Sequence, residues 1–237
     1  MKAKFEGLKQ ILYILLPLAV FVILYDVCTA VLQYVLGILA KIFGDRGVLW
    51  ITGNAGTFQA ICIMGGLLLT FICLLKTARM DGFLTPEKSV WKAPVWQYVL
   101  LALGTVAVTY GINYFFTVSG FMERSESYQR VAQNQYDVIV WVGLLLYGVV
   151  SPFVEEVIFR GFLYGRMRVY MPKVVAVLLS AVLFGVYHGN VVQGIYGFVM
   201  GVLYTLVYEK YKNFYLAVFM HSITNLVAYF IQLNGFI

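Results

Sequence analysis

The chain has 237 residues, of which 62% are hydrophobic and only 12% are charged, and its mean hydropathy is +0.84. Soluble globular domains average about half apolar and a quarter charged residues, so this composition excludes an ordinary water-soluble fold. The formal net charge of +6 requires no nucleic acid as a partner, because basic residues at the ends of membrane spans account for it. The chain is therefore predicted to be a multi-pass integral protein of the cell membrane.

Seven stretches are apolar and long enough to be candidate membrane-spanning helices. Their limits are residues 11–40, 57–75, 95–121, 138–165, 173–190, 191–208 and 214–233. A membrane β-barrel would instead require alternating segments of about ten residues. Because no repeat or soluble domain interrupts the series, residues 1–237 are predicted to form one all-α integral membrane domain.

The ends of these stretches predict how the chain is oriented. Lysines precede the first apolar run, as in a secretory signal, but the run continues to about Ala40 without a small-residue cleavage site and is interpreted as a retained helix. Basic residues are more numerous at the amino terminus and in the second, fourth and sixth connections than at the other ends of the spans. Those counted include Lys88, Lys92 and Arg160. This bias predicts a cytoplasmic amino terminus and an external carboxyl terminus. The three cysteines lack the spacing of a metal site and are predicted to be packing residues.

The stretch SPFVEEVIFRGF, residues 151–162, places three charged residues inside the fourth predicted span. Each ionisable group in a span costs about 2.5 to 3.5 kcal/mol on insertion scales, so each requires a partner or a function. Glu156 and Arg160 are four residues apart, which predicts an ion pair on one helical face, whereas Glu155 has no partner in its own helix. Pro152 is expected to break or kink the helix just before the acidic pair.

Both histidines of the chain also lie in predicted spans, His188 in FGVYHGN and His221 in HSITN. Asn225 follows His221 by four residues, so the two side chains are expected to point together into the bundle. With the cytoplasmic boundary placed near Arg166, Lys173 and Asn213, a rise of about 1.5 Å per residue puts Glu155, His188 and His221 at depths of roughly 16, 22 and 12 Å. A carboxylate, two imidazoles and an amide are therefore expected to meet within the bilayer core.

Three motifs in this order, EEVIFR, FGVYH and HSITN, resemble the Glu-Glu-x-x-x-Arg, Phe-x-x-x-His and His-x-x-x-Asn motifs of the CPBP family of intramembrane proteases. That family comprises the type II CAAX prenyl endopeptidases and bacterial proteins linked to bacteriocin processing and self-immunity. The resemblance covers about residues 138–233, the expected catalytic core, and leaves residues 1–137 as accessory helices. It implies an intramembrane endopeptidase that acts on a peptide or protein substrate.

Peptide hydrolysis requires a base that activates water and donors that stabilise the developing oxyanion. Glu155 is the predicted base and later the acid for the leaving amine, and His188 is predicted to orient the water or share its proton. The resemblance assigns His221 and Asn225 to the oxyanion, while Glu156 and Arg160 are predicted to be structural. Cleavage is expected in the cytoplasmic half of the bilayer.

Three alternatives remain open from the sequence. Glu155, His188 and His221 with a water would form a catalytic zinc shell and make the protein a metalloprotease. The His-Glu-x-x-His spacing of helical zinc proteases is absent, however, and the preferred interpretation requires no cofactor. The chain could also be a non-proteolytic immunity or scaffold protein that binds a peptide toxin or another membrane partner. A solute transporter is the third alternative, although the chain lacks internally repeated halves.

Overall fold

A computed structural model describes residues 2–85 and 93–234, and within these ranges the chain is helical without any β-strand. The described helices are α1 (Lys2–Ile42), α2 (Asp45–Gly53), α3 (Ala55–Asp81), α4 (Val95–Val118), α5 (Glu126–Tyr136), α6 (Val140–Tyr170), α7 (Lys173–Tyr187), α8 (Val191–Tyr211) and α9 (Phe214–Asn234). The prediction of an all-α polytopic bundle is confirmed. Helices α1 and α3, α4 and α9, and α7 and α8 pack as pairs, and α6 lies among them as the most buried helix.

Six helices of the described ranges, rather than the seven predicted, are long and apolar enough to cross a membrane: α1, α3, α4, α6, α8 and α9. Helix α7 has 15 residues and rises about 22 Å, which is less than the hydrocarbon core of about 30 Å. The span predicted over residues 173–190 is shorter because its last residues form a turn. In that turn Gly189 has a φ of 71°, and the Asn190 side chain caps α8 by accepting the Gln193 N–H.

Helix α6 remains helical from Val140 to Tyr170, so Pro152 does not break it. The hydrogen-bond register changes instead, because Leu146–Val150 and Val157–Tyr164 are π-helical. The Ser151 N–H bonds the Leu146 carbonyl five residues earlier, and Pro152 has no N–H to donate. The Tyr147 carbonyl therefore receives neither the four-residue nor the five-residue helical bond. Such π-helical turns are rare and frequently lie at functional sites.

A second proline has a similar consequence in α1, where Pro17 cannot donate to the Tyr13 carbonyl. The Arg166 guanidinium takes this place, with Nη1 donating to Tyr13 O at 2.6 Å. Its Nε donates to Asp81 Oδ2 at 2.8 Å, and its carbon lies 4.2 Å from the centre of the Tyr13 ring. This buried arginine ties α6 to both α1 and α3.

Helices α7 and α8 form a hairpin whose backbones approach closely at glycines, since small residues permit such contact. A Cβ on Gly185 would lie 2.5 Å from the Gly194 carbonyl oxygen, and a Cβ on Gly201 would lie 3.1 Å from the Phe184 ring. The hairpin packs on α6, where the rings of Phe159 and Phe184 are 4.9 Å apart. This packing brings the turn after α7 beside the middle of α6.

The predicted cytoplasmic position of the amino terminus stays a prediction. Two of the basic residues on which this prediction depends, Lys88 and Lys92, lie outside the described residues. Arg160 was wrongly counted at a connection, because it is fully buried within α6. Among the cysteines, Cys62 is buried as predicted, whereas Cys73 is exposed on α3 and does not pack inside the chain.

Candidate active site

A cavity of about 360 Å³ lies inside the bundle beside α6. Its lining includes Glu155 from α6, His188 from the turn after α7 and Asn225 from α9. Its volume is within the usual range of about 300 to 1,000 Å³ for small-ligand sites. Helices α1 and α3, which were predicted to be accessory, also contribute to the lining, for example through Tyr25. The cavity therefore belongs to the whole bundle, and three of the four predicted catalytic side chains border it.

Glu155 is at the midpoint of α6, and from there the cavity extends toward the start of α3 and toward α5. Helix α5 contributes Tyr128 and Gln135 to the lining. In the predicted orientation this end of the bundle is external, whereas cleavage was predicted in the cytoplasmic half of the bilayer. The side on which cleavage occurs stays a prediction, as the orientation does.

Glu155 is 7% exposed and is held by Ser151, whose hydroxyl donates a hydrogen bond to Oε1. The other carboxylate oxygen, Oε2, lies 3.7 Å from His221 Nε2. Ser151 is a residue that the sequence interpretation missed. Its position four residues before Glu155 is the signal that could have identified it, because such residues share a helical face.

Glu156, the next residue, is fully buried and pairs with Arg160, as predicted. Arg160 Nη1 lies 2.8 Å from Glu156 Oε1, although the N–H direction does not meet hydrogen-bond geometry. Arg160 Nη2 donates to the Gly201 carbonyl at 3.3 Å. The guanidinium carbon lies 4.4 Å from the centre of the Phe184 ring and 5.1 Å from that of Tyr204. These contacts connect the ion pair to α7 and α8, which fits a structural role.

His221 lies between the two carboxylates. Its Nδ1 is 2.8 Å from Glu156 Oε1, and because a carboxylate accepts, we assign a proton to Nδ1. In the neutral ring Nε2 is then an acceptor directed toward Glu155. The ring is stacked on Tyr204, with centroids 4.9 Å apart and an angle of 23° between the planes. The predicted role of His221 as an oxyanion donor consequently requires a second proton, on Nε2.

His188 follows the last residue of α7, and its Nδ1 lies 2.8 Å from the Phe184 carbonyl oxygen. A carbonyl only accepts, so Nδ1 carries the proton and the neutral ring keeps Nε2 as an acceptor. Gly197 on α8 leaves room for this ring, since a Cβ there would lie 3.1 Å from Nδ1. Both histidines are thus fixed through Nδ1.

Asn225 is positioned by the altered register of α6. Its Nδ2 donates to the Tyr147 carbonyl at 3.1 Å, the carbonyl left without a helical bond because of Pro152. One N–H of the amide is used in this way, and a second N–H remains on the same nitrogen. Pro152 therefore does not open the helix. It leaves the Tyr147 carbonyl without a helical bond, and this carbonyl accepts the hydrogen bond that orients Asn225.

Glu155, His188 and His221 are of the residue types that bind zinc, but their arrangement differs from that of a zinc site. A histidine that ligates a metal usually donates its other N–H to a carbonyl or carboxylate, as both histidines do here. Within the described ranges, however, no group of three or more His, Cys, Asp or Glu side chains is arranged to hold a metal ion. The spacing of Glu155, His188 and His221 therefore does not fit the zinc shell.

Comparison with known proteins agrees with the motifs. Residues 137–227 match the family model described as Type II CAAX prenyl endopeptidase Rce1-like. The chain is also 26% identical over 172 residues to a Bacillus subtilis (strain 168) protein named "Putative membrane peptidase YdiL", and this match covers 70% of the chain and 68% of the relative. No solved structure matches the chain. The resemblance to the CAAX protease family is confirmed, and both matches support protease activity in a multi-pass membrane protein.

Proposed function

We propose that this chain, whose residues 137–227 match the CAAX-type protease family, is an intramembrane endopeptidase that uses Glu155 to activate water. The observation that carries the proposal is the meeting of Glu155, His188 and Asn225 on one cavity inside the bundle, with His221 Nε2 3.7 Å from the Glu155 carboxylate. Hydrolysis of a peptide bond requires groups of these kinds. A buried ionisable residue within a span also requires a function or a partner, and Glu155 has no cationic partner in its own helix.

In the proposed reaction Glu155 Oε2 accepts a proton from water as the water oxygen bonds to the substrate carbonyl carbon. Oε1 is the oxygen that accepts the Ser151 hydroxyl, so Oε2 is free to face the water. When the tetrahedral intermediate collapses, the carbon–nitrogen bond breaks and Glu155 returns the proton to the leaving amine. One carboxylate then acts first as base and later as acid.

The remaining groups bind the water and the oxyanion. His188 Nε2 accepts a hydrogen bond from the water and orients it, because Nδ1 is occupied by the Phe184 carbonyl. The second N–H of Asn225 donates to the oxyanion, and His221 contributes a donor when Nε2 is protonated between the two carboxylates. Glu156 and Arg160 hold His221 in register and do not touch the substrate.

The substrate is a peptide segment that lies in the membrane or is delivered to it. No nucleic acid is involved, and the bilayer is the other partner. Neither comparison supports a metal or an immunity role. Comparison of wild-type and Glu155→Gln membranes separates the protease from the scaffold alternative, and removal of metal ions separates the glutamate mechanism from the zinc alternative.

The test compares released peptides and new protein termini in membranes that contain wild-type protein with those that contain Glu155→Gln at equal abundance. Products found only with the wild type support proteolysis and identify a substrate. Identical profiles, together with an unchanged host phenotype in the variant, would reject the protease and favour a scaffold or immunity protein. Glu123→Gln is the matched control, since Glu123 is exposed and is not among the residues that line the cavity.

A further inference from the structure

An acidic side chain on the membrane-facing surface of α1 takes no part in the proposed reaction. Asp26 is exposed, and the exposed apolar residues Val22, Ile23 and Val27 flank it on the helix. Within the described ranges, no lysine, arginine or histidine forms an ion pair with it. Because an ionisable group in a span is costly to insert, such a residue usually marks a functional site and requires a partner.

Two observations place Asp26 near the middle of the membrane. Thr29, less than one helical turn further along α1, lies at the level of Gly66 near the middle of α3, because a Cβ on Gly66 would clash with the Thr29 hydroxyl. In the other direction, Tyr13 contacts Arg166 near the end of α6, and the rise from Tyr13 to Asp26 is about 20 Å. The short aspartate side chain cannot reach the headgroups from this depth.

The same stretch of α1 borders the candidate active site. Neighbouring residues on a helix point about 100° apart, so Tyr25 faces the cavity while Asp26 faces the membrane. Tyr187, at the end of α7, lines the cavity as well, together with Glu155. Asp26 and Glu155 both interact electrostatically with these two tyrosines. The tyrosines are therefore close to both carboxylates, one on the outer surface of the bundle and one in its cavity.

Helices α1 and α7 meet through aromatic rings at this level. The centroid of the Phe21 ring lies 5.9 Å from that of Tyr187 and 5.9 Å from that of Tyr25. The Tyr187 ring also lies 5.4 Å from that of Phe159 on α6. A membrane segment beside Asp26 would therefore lie against the aromatic wall of the cavity that contains Glu155.

From these observations we infer that Asp26 is a docking site for a lysine or arginine near the middle of the membrane segment of the substrate. A cation and an anion that are each costly in the bilayer core both lose part of this cost when they pair. A second copy of the chain is a less suitable occupant, because a symmetric dimer at this face would bring two Asp26 carboxylates together. The inference rests on the proposed function only in that the docked segment is called a substrate.

The experiment measures binding of synthetic transmembrane peptides to the protein in liposomes, by energy transfer from a dye on the protein to a dye on the peptide. The peptides have about twenty leucine and alanine residues with tryptophan at both ends, and they differ only in a central lysine or leucine. We expect the wild type to bind the lysine peptide about fivefold or more tightly than the leucine peptide. Asp26→Asn should reduce this ratio to below about twofold, whereas the control Glu123→Gln should keep it.

Asp26→Lys provides the converse test, since it should prefer a peptide with a central glutamate. Equal affinities of the two original peptides for the wild type would overturn the inference. A lysine preference that survives Asp26→Asn but is lost in Glu155→Gln would also overturn it, because the cation would then bind in the cavity.

Cleavage of the same peptides, followed by mass spectrometry, separates this inference from the proposed function. If the lysine preference depends on Asp26 while neither the peptides nor any membrane protein yields products that depend on Glu155, the docking site stands and the protease is rejected. If products depend on Glu155 while the two peptides bind equally, the protease stands and the docking role of Asp26 is rejected.

Discussion

His221 Nδ1 lies 2.8 Å from Glu156 Oε1, although 65 positions separate the two residues in the sequence. The same oxygen is 2.8 Å from Arg160 Nη1. One carboxylate oxygen therefore holds both a histidine of α9 and an arginine of α6. The contact fixes the imidazole so that Nε2 points toward Glu155, and it explains why two adjacent glutamates have different environments.

Glu156→Gln should accordingly reduce both stability and cleavage. The amide oxygen still accepts from His221, but Arg160 loses its counter-ion while fully buried. Removal of one partner from a buried ion pair typically costs about 3 to 5 kcal/mol. The free energy of unfolding in mixed micelles measures this effect. Lys212→Gln is the control, because Lys212 pairs with Glu209 at an exposed site and its loss should cost less than about 1 kcal/mol. Equal effects of the two substitutions would contradict the structural role of Glu156.

Asn225→Asp tests the link between α9 and the altered register of α6. The substitution replaces the Nδ2 donor with an acceptor opposite the Tyr147 carbonyl, so two acceptors face each other. We expect a loss of about 1 to 3 kcal/mol in stability and a fall in the cleavage rate. Asn234 makes the same kind of bond, to Phe230 O at 2.8 Å, at the exposed end of the same helix. Asn234→Asp should therefore change stability by less than about 0.5 kcal/mol and leave cleavage unchanged. If Asn225→Asp changes stability and cleavage no more than Asn234→Asp does, the hydrogen bond to the Tyr147 carbonyl contributes to neither.

Gly197→Ala tests the position of His188. The added Cβ would lie 3.1 Å from His188 Nδ1 and 3.2 Å from Cε1, so the ring must shift. Contacts of this length require a shift of a few tenths of an ångström, and since a misplacement of about 1 Å at a reacting group can cost about a hundredfold in rate, we expect a fall of about threefold to tenfold. Gly104→Ala is the control, because nothing lies within 4 Å of its Cβ. That control should gain about 0.5 to 1 kcal/mol in helix stability and keep its rate. An unaffected rate in Gly197→Ala would exclude His188 from water orientation.

Removal of metal ions is expected to leave cleavage unchanged. Because Glu155, His188 and His221 do not form a metal-holding group within the described residues, cleavage should continue after treatment with a chelator and dialysis. The rate before and after treatment measures this, with a known zinc peptidase as the positive control. Loss of activity that zinc restores would establish the metal alternative and make the two Nε2 atoms its candidate ligands.

Several parts of this site could be predicted from sequence because they depend on local spacing. The Glu156–Arg160 pair follows from a separation of four residues on one helix, and the order of the three motifs indicated which distant residues meet. The Asn225 bond could not be predicted, since it requires the change of register before Pro152. Hydropathy also could not reveal that residues 173–190 end in a turn, because the apolar sequence resumes directly at Val191, where the next helix begins.

The role of Glu155 in activating water is tested most directly by the initial rate of peptide cleavage by purified Glu155→Gln in lipid, with a substrate identified in membranes. General acid–base catalysis typically contributes about 10² to 10⁴ in rate, so we expect a fall of at least a hundredfold while Glu123→Gln retains the wild-type rate. A Glu155→Gln rate within threefold of the wild type, with the protein folded, would contradict it.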